Sequence, residues 1–311
     1  MRSLAILLTL VPVGTICAQS MSQLSAPTLS YLFDSESRSL RVVGGVPGSA
    51  SVDGVLPLGD KVEAAYFDPA RRFALVRFHE GKSAVVQLRN LQTIALEGAV
   101  LATKVVLSPS GAVALLVNSD SGEAQVWSGL TSQPALARTL SLRPFEAAAI
   151  TDDGNRIALG SAEGLRLMEG SVETALSVAD GITALTFSRA GDELIAANGK
   201  SDTLSSWRNE GGEWKAQQIA SVQDGVDGPV AVAYTSSGKL LVANKRGRSI
   251  LQIDTSGSIN RLECDCEPSL LTQAQGDAVF QISAAQDQQI YFFDGDAASP
   301  RLFSIFAGGA R

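Results

Sequence analysis

Short apolar runs broken by polar or glycine-containing stretches recur along nearly the whole chain, and no apolar stripe of helical period is sustained over a long window. In Lys239–Asp254, "KLLVANKRGRSILQID", two such runs flank a basic knot, the pattern of two strands joined by a turn. The same grammar repeats elsewhere. A first run ("KVVLS", "EAAAIT", "ITALTFS", "PVAVAYT") leads into a turn pentad ("DPARR", "SPSGA", "DDGNR", "RAGDE", "SSGKL") and then a second run ("FALVRF", "VALLVN", "RIALGS", "ELIAAN", "LLVANK"). Pro presets φ for a reversal and Gly supplies positive φ, so each pentad predicts a hairpin. A polar knot, a third run and a looser fourth run such as "QTIALEG", "ARTLSL" or "QQIASV" close the unit.

The third runs are anchored at Val43, Leu88, Trp127, Met168, Trp207, Ile253 and Phe293, with successive anchors 39 to 46 residues apart. Four short strands in ~40 residues make one blade of a β-propeller. The expected fold is therefore all-β: a seven-bladed β-propeller of four-stranded antiparallel blades, filling one domain over residues 19–311. The opening unit, "TLSYLFDSESRSLRVVGG", provides a second and a third strand but no clear first one. That strand is expected from "SMSQLSA" (residues 20–26) or from the C-terminal tail, so that the two ends meet in one blade, because an open sheet edge is a hazard.

"LLVANKRGRSILQID" resembles the YVTN-type propeller repeat, in which an apolar run ends in Asn and a polar loop leads to a Val/Ile-rich strand ending in Asp. Asn118, Asn198 and Asn244 share that slot in three blades, with Asp34 and His79 in it elsewhere. The turn pentads resemble those of WD repeats, although the Gly-His pair is missing and Trp127 is followed by Ser128. The likeness implies a propeller. Through the seven-bladed lactonases similar to 6-phosphogluconolactonase, it also implies hydrolysis of sugar lactones as an alternative activity. No lactonase active site carries over residue by residue, and the candidates read from this chain itself for that alternative are His79 and Glu80.

Composition narrows the partners. The chain of 311 residues carries a net charge of −7, which argues against nucleic acid or an anionic membrane surface as partner. Its N-terminus, "MRSLAILLTLVPVGTICAQS", has a basic residue, an apolar run too short to span a bilayer and small residues before Gln19. The expectation is a signal peptide over residues 1–18 and a secreted or periplasmic protein. Lipidation at Cys17 is disfavoured because Ile16 stands where a small residue is needed. Elsewhere no run approaches the ~20 apolar residues of a membrane helix.

Cys264 and Cys266, in "ECDCEP", are either a local disulfide or two free thiols. Along an extended strand the two Cα atoms would lie ~6.6 Å apart, at the limit for bridging, so a disulfide requires a turn there. His79 is the only histidine, which excludes a His-rich zinc site. The acidic pairs Asp152/Asp153 and Asp294/Asp296 lack the spacing of a calcium loop and read as turns. "VGGVPGSA" and "EGGEW" do not lead from a strand into a helix and so do not read as phosphate cradles. No metal or cofactor is expected.

The remaining candidates are the knots between second and third strands, which the alternation of strand direction brings to one face. There Lys200, Lys245, Arg246 and Arg248 would stand opposite Asp34, Glu36, Asp120 and Glu123, with His79, Asn118, Asn198 and Asn244 at the strand ends. A charge-polarised ring of this kind is expected to dock a protein, peptide or glycan, with the chain acting as a monomeric, non-catalytic binding or assembly module.

Overall fold

The computed structural model describes residues 27–274, 276, 278–283, 289–295 and 299–307. The expected signal peptide, the segment 20–26, most of the last knot (284–288) and Asp296 lie outside them. Among the described residues nearly all the regular structure is β, with one 3-10 turn at Val222–Asp224. Seven antiparallel sheets follow one another in chain order, six with four strands and the first with three among the described residues. Every repeat anchor lies in the third strand of its unit or, for Leu88, one residue beyond it. The hairpin read from "KLLVANKRGRSILQID" pairs Leu240 with Ile253 and Asn244 with Ser249, leaving Lys245–Arg248 as its loop.

The second strand of each blade is mostly apolar, with its polar residues mainly at the ends, because it is covered on both sides. In Val113–Val117, Leu115 and Val117 pack towards blade four while Ala114 and Leu116 pack towards blade two. Burying each such Val or Leu contributes about 1.5–3 kcal/mol, and their alternation divides that gain between two interfaces. Seven apolar clusters result, one between each pair of neighbouring blades. The tryptophans join this packing: Trp127 is buried between blades two and three, and Trp207 and Trp214 cover the core between blades four and five.

The strand expected to close blade one falls on residues 20–26 or on the tail beyond 307, outside the described residues. The last strand, Arg301–Phe306, pairs with Gln289–Asp294 inside blade seven, and Thr28–Asp34 pairs with Ser39–Val46 inside blade one. Among the described residues the ends therefore do not share a sheet. The ring closes through side chains: Leu29, Leu32 and Val43 of blade one pack on Val279, Ile290, Phe292 and Ile305 of blade seven. In the other six blades the first strand lies innermost and lines the central channel, whereas blade one has no such strand among the described residues.

The chain bends at Asp265 and Cys266, bringing the Cys264 and Cys266 Cα atoms to 5.0 Å, and the two are joined as a disulfide. Both half-cystines are buried between blades six and seven, beside Phe280 and Phe293.

Candidate functional site

The knots share a face because each joins an outward-stepping second strand to a third strand, and the links between blades emerge on the same side. Their repeated Asn or Asp slot builds the hairpin itself. Asp34 Oδ1 accepts from the backbone N–H groups of Glu36 (3.0 Å) and Ser37 (3.2 Å), and Asn118 Oδ1 accepts from those of Asp120 (3.0 Å) and Ser121 (3.2 Å). Asn198 Oδ1 accepts from Lys200 and Ser201, each at 2.9 Å, while its amide donates to the Asp180 carbonyl at 2.7 Å. Asn244, fully buried, ties down the link into its own blade instead. It accepts from Asp227 N–H and donates to the Gly225 carbonyl and to Ser249 Oγ. Short polar side chains favour such turns through these local bonds. Glu36 and Asp120 remain exposed at the knot tips.

The basic knot residues differ in their freedom. Lys200 Nζ donates to Asp180 at 2.7 Å, and Arg246 is held between Asp227 and Asp202. Arg248, with φ of +44°, donates from Nε to the Cys266 carbonyl at 3.3 Å. Lys245 is exposed, and its ammonium group has no partner among the described residues. Lys245, Arg246 and Arg248 nevertheless converge on one cleft of about 480 Å³, whose floor is formed by Thr183, Gly199 and Gly228–Val230, with Glu267 at its edge.

The side chains of His79 and Glu80 have separate partners. His79 Nδ1 lies 3.0 Å from Glu63 Oε1 and 3.4 Å from Arg38, whereas Glu80 is paired with Lys82. The hydrogen bond with His79, helped by Arg77, holds the Glu63 carboxyl below its usual range. The acidic pentad at Asp152 and Asp153 is structural: Asp152 accepts from Ser110 N–H of the preceding blade, and Asp153 from Thr151 Oγ1 and Asn155 N–H. Among the described residues no group of three or more His, Cys, Asp and Glu side chains could hold a metal ion.

At the opposite, turn-side end, the channel holds a cavity of about 240 Å³ lined mainly by Phe67, Pro109, Ile150, Phe187, Tyr234 and Phe280. A second cavity of about 300 Å³ adjoins it beside blade one. Arg71 lines this second cavity, and sequence reasoning passed it over. Its pentad, "DPARR", aligns with "SPSGA", "TDDGN", "SRAGD" and "TSSGK", so Arg71 fills the slot that Gly111, Gly154, Gly191 and Gly238 fill in blades three to six. Those glycines have φ between +69° and +82°, and Arg71 adopts +57°. An arginine in a glycine slot was the legible signal.

Arg71 is half-buried as a residue because its backbone sits in the turn, but all three guanidinium nitrogens are buried and lack a hydrogen-bond partner. The group lies over the Phe67 ring, 4.8 Å from its centroid. Burial pushes the guanidinium down to about 9, against the pull of the nearby Asp68 charge, so it stays cationic at neutral pH. Asp68 itself is already taken. Arg72 donates from Nε (2.8 Å) and backbone N–H (3.0 Å) to one carboxylate oxygen and from Nη2 (2.8 Å) to the other.

No protein-family model and no curated protein matches the chain. Solved structures do. A functionally unknown protein from Desulfotomaculum acetoxidans DSM 771 aligns over 91% of this chain and 100% of its own, with a TM-score of 0.58 and 13% identity. A streptogramin B lyase aligns over 82% of this chain and 86% of its own, with a TM-score of 0.55 and 14% identity. At these identities the likeness shows the β-propeller fold alone.

Proposed function

We propose that the chain is an exported, non-catalytic binding or assembly module that holds an anionic segment of a protein, peptide or glycan partner on its knot face. The observation that carries this reading is the cleft shared by Lys245, Arg246 and Arg248. Three cations from one short loop border a floor of small and apolar residues, and Lys245 has no counter-charge among the described residues. Such a rim steers an acidic partner and fixes its register. The Cys264–Cys266 disulfide supports export, since such bonds persist in oxidising compartments.

The discriminating variant is Lys245→Glu, because Arg246 and Arg248 also hold the loop together. With an oligoglutamate peptide and an oligogalacturonate as probes, the change should weaken binding by about fivefold or more, with affinity falling as salt rises. The melting temperature should stay unchanged. Equal binding by the variant and the native protein would remove the cleft as the docking site. Turnover of sugar lactones that disappears in His79→Ala would replace the binding reading with hydrolysis.

A further inference from the structure

Arg248 closes the knot of blade six in a slot that blade three fills with Gly122. In both blades the carbonyl at that slot accepts an N–H from the link into the next blade, that of Cys264 at 2.8 Å and that of Leu142 at 2.8 Å. Gly122 takes φ of +72° there and Arg248 +44°, a left-handed backbone that strains a residue with a side chain. The arginine side chain is also held in place. Its Nε donates to the Cys266 carbonyl at 3.3 Å, and the disulfide between Cys264 and Cys266 fixes that link in its bend. Nη1 and Nη2 have no partner among the described residues, and Arg248 is exposed, so these donors are open to a ligand.

The cleft beside Arg248 completes a site. Lys245 offers a second free cation, whereas Arg246 is held between Asp227 and Asp202. Glu267, exposed and without a partner among the described residues, stands at the edge. Counted against Asp202, Asp227 and Glu267, the three cations leave no excess of positive charge, so the cleft recognises a ligand through directed donors. Its floor is aliphatic. Thr183 spends its hydroxyl on the Pro229 carbonyl at 2.6 Å, which leaves its methyl group beside Pro229 and Val230, and no aromatic side chain is among the described lining residues.

We propose that this cleft captures the free carboxyl terminus of an extended partner chain ending in a small aliphatic residue, an inference that rests on the binding reading of the knot face. The terminal carboxylate docks on the two free Nη groups of Arg248, beside the Lys245 ammonium, because a guanidinium fork matches a planar carboxylate in shape. Balanced charge suits a single negative group, and Glu267 at the edge disfavours a run of carboxylates. The last side chain of the partner lies on Pro229 and Val230. A chain fits the extent of the cleft better than a free acid does. At about 480 Å³, it runs from Gly199 in the knot of blade five, past the first strand of blade six, to Glu267 in the link to blade seven. Capture of a chain terminus by convergent donors is a recurrent mode of peptide recognition.

The test compares the native protein with Arg248→Gly, Arg248→Lys and Lys245→Glu, in thermal melts and titration calorimetry at constant ionic strength. The probes are an acetylated alanine pentapeptide ending in valine with a free C-terminus, the same peptide amidated, N-acetylvaline and pentaglutamate. Arg248→Gly installs the residue of blade three, so it should fold and melt near the native temperature. The native protein should bind the free pentapeptide more tightly than pentaglutamate, and amidation should weaken binding by about tenfold or more. Arg248→Gly should lose the preference for the free terminus. Arg248→Lys, which keeps the charge but loses the fork, should bind the free peptide about tenfold more weakly. Equal binding of free and amidated peptide, or native affinity in Arg248→Gly, would overturn the proposal. If pentaglutamate binding were still lost in Lys245→Glu, the cleft would remain the docking site without the terminal carboxylate. N-acetylvaline binding as tightly as the pentapeptide would overturn the assignment to a chain. No binding of any probe by the native protein would remove both the proposal and the reading on which it rests.

Discussion

Asn118 and Asn244 occupy the same slot in the repeat, yet their surroundings give them unequal weight. Asn118 is half-buried and accepts two backbone N–H groups within an exposed hairpin, which water can replace. Asn244 is fully buried and satisfies Asp227 N–H, the Gly225 carbonyl and Ser249 Oγ. Removing a buried partner leaves the others desolvated and unpaired, so Asn244→Ala should cost about 2–3 kcal/mol and Asn118→Ala about 1 kcal/mol or less. Urea denaturation of the two variants measures the difference. Equal losses would mean that burial does not govern this slot.

At the scale of the strand and turn, the second strands and third strands such as Ser249–Ile253 were legible because both their faces are buried and they read as largely apolar runs. The fourth strands were fainter. Ala135–Ser141 lies on the rim with most positions exposed, so little in its sequence is constrained by packing. The candidate site was less legible still. Its ion pairs join residues far apart in sequence, as when Arg246 of blade six reaches Asp202 of blade five, and local spacing carries no trace of them. The pentad glycines were legible as turns, but their tolerance to change is not uniform. A Cβ on Gly238 would meet nothing nearer than Thr255 Cγ2 at 3.6 Å, so Gly238→Ala should cost about 1 kcal/mol, from φ alone. A Cβ on Gly111 would fall 1.9 Å from Asp68 Oδ1, a side chain pinned by Arg72. Gly111→Ala should therefore cost about 2–4 kcal/mol, read as a shift in urea midpoint.

Across the whole ring, neighbouring blades are joined by polar staples as well as apolar cores. Arg72 donates to the Ser110 carbonyl, Arg138 to those of Gly154 and Gly170, Arg156 to that of Gly191, and Thr183 Oγ1 to that of Pro229. The staple between blades five and six also titrates. Glu193 accepts from Ser206 Oγ (2.5 Å), Arg208 Nε (2.9 Å) and, across the interface, Tyr234 OH (3.0 Å). Burial alone would push its carboxyl up, but the three donors outweigh burial and hold it below the usual range. Burial, reinforced by the Glu193 charge, pushes the Tyr234 hydroxyl far up, so it remains a protonated donor throughout the acid range. A carboxyl with a lower pKa in the folded than in the unfolded chain contributes stability that is full above the unfolded value, about 4.3, and is lost as pH falls through the folded value. The urea midpoint should thus decline between about pH 5 and pH 3, and Glu193→Gln should be less stable than native at pH 7 but show a shallower decline. Parallel curves for the two proteins would place the acid sensitivity of the ring elsewhere. Convergence at low pH would assign that part of it to the contact between blades five and six.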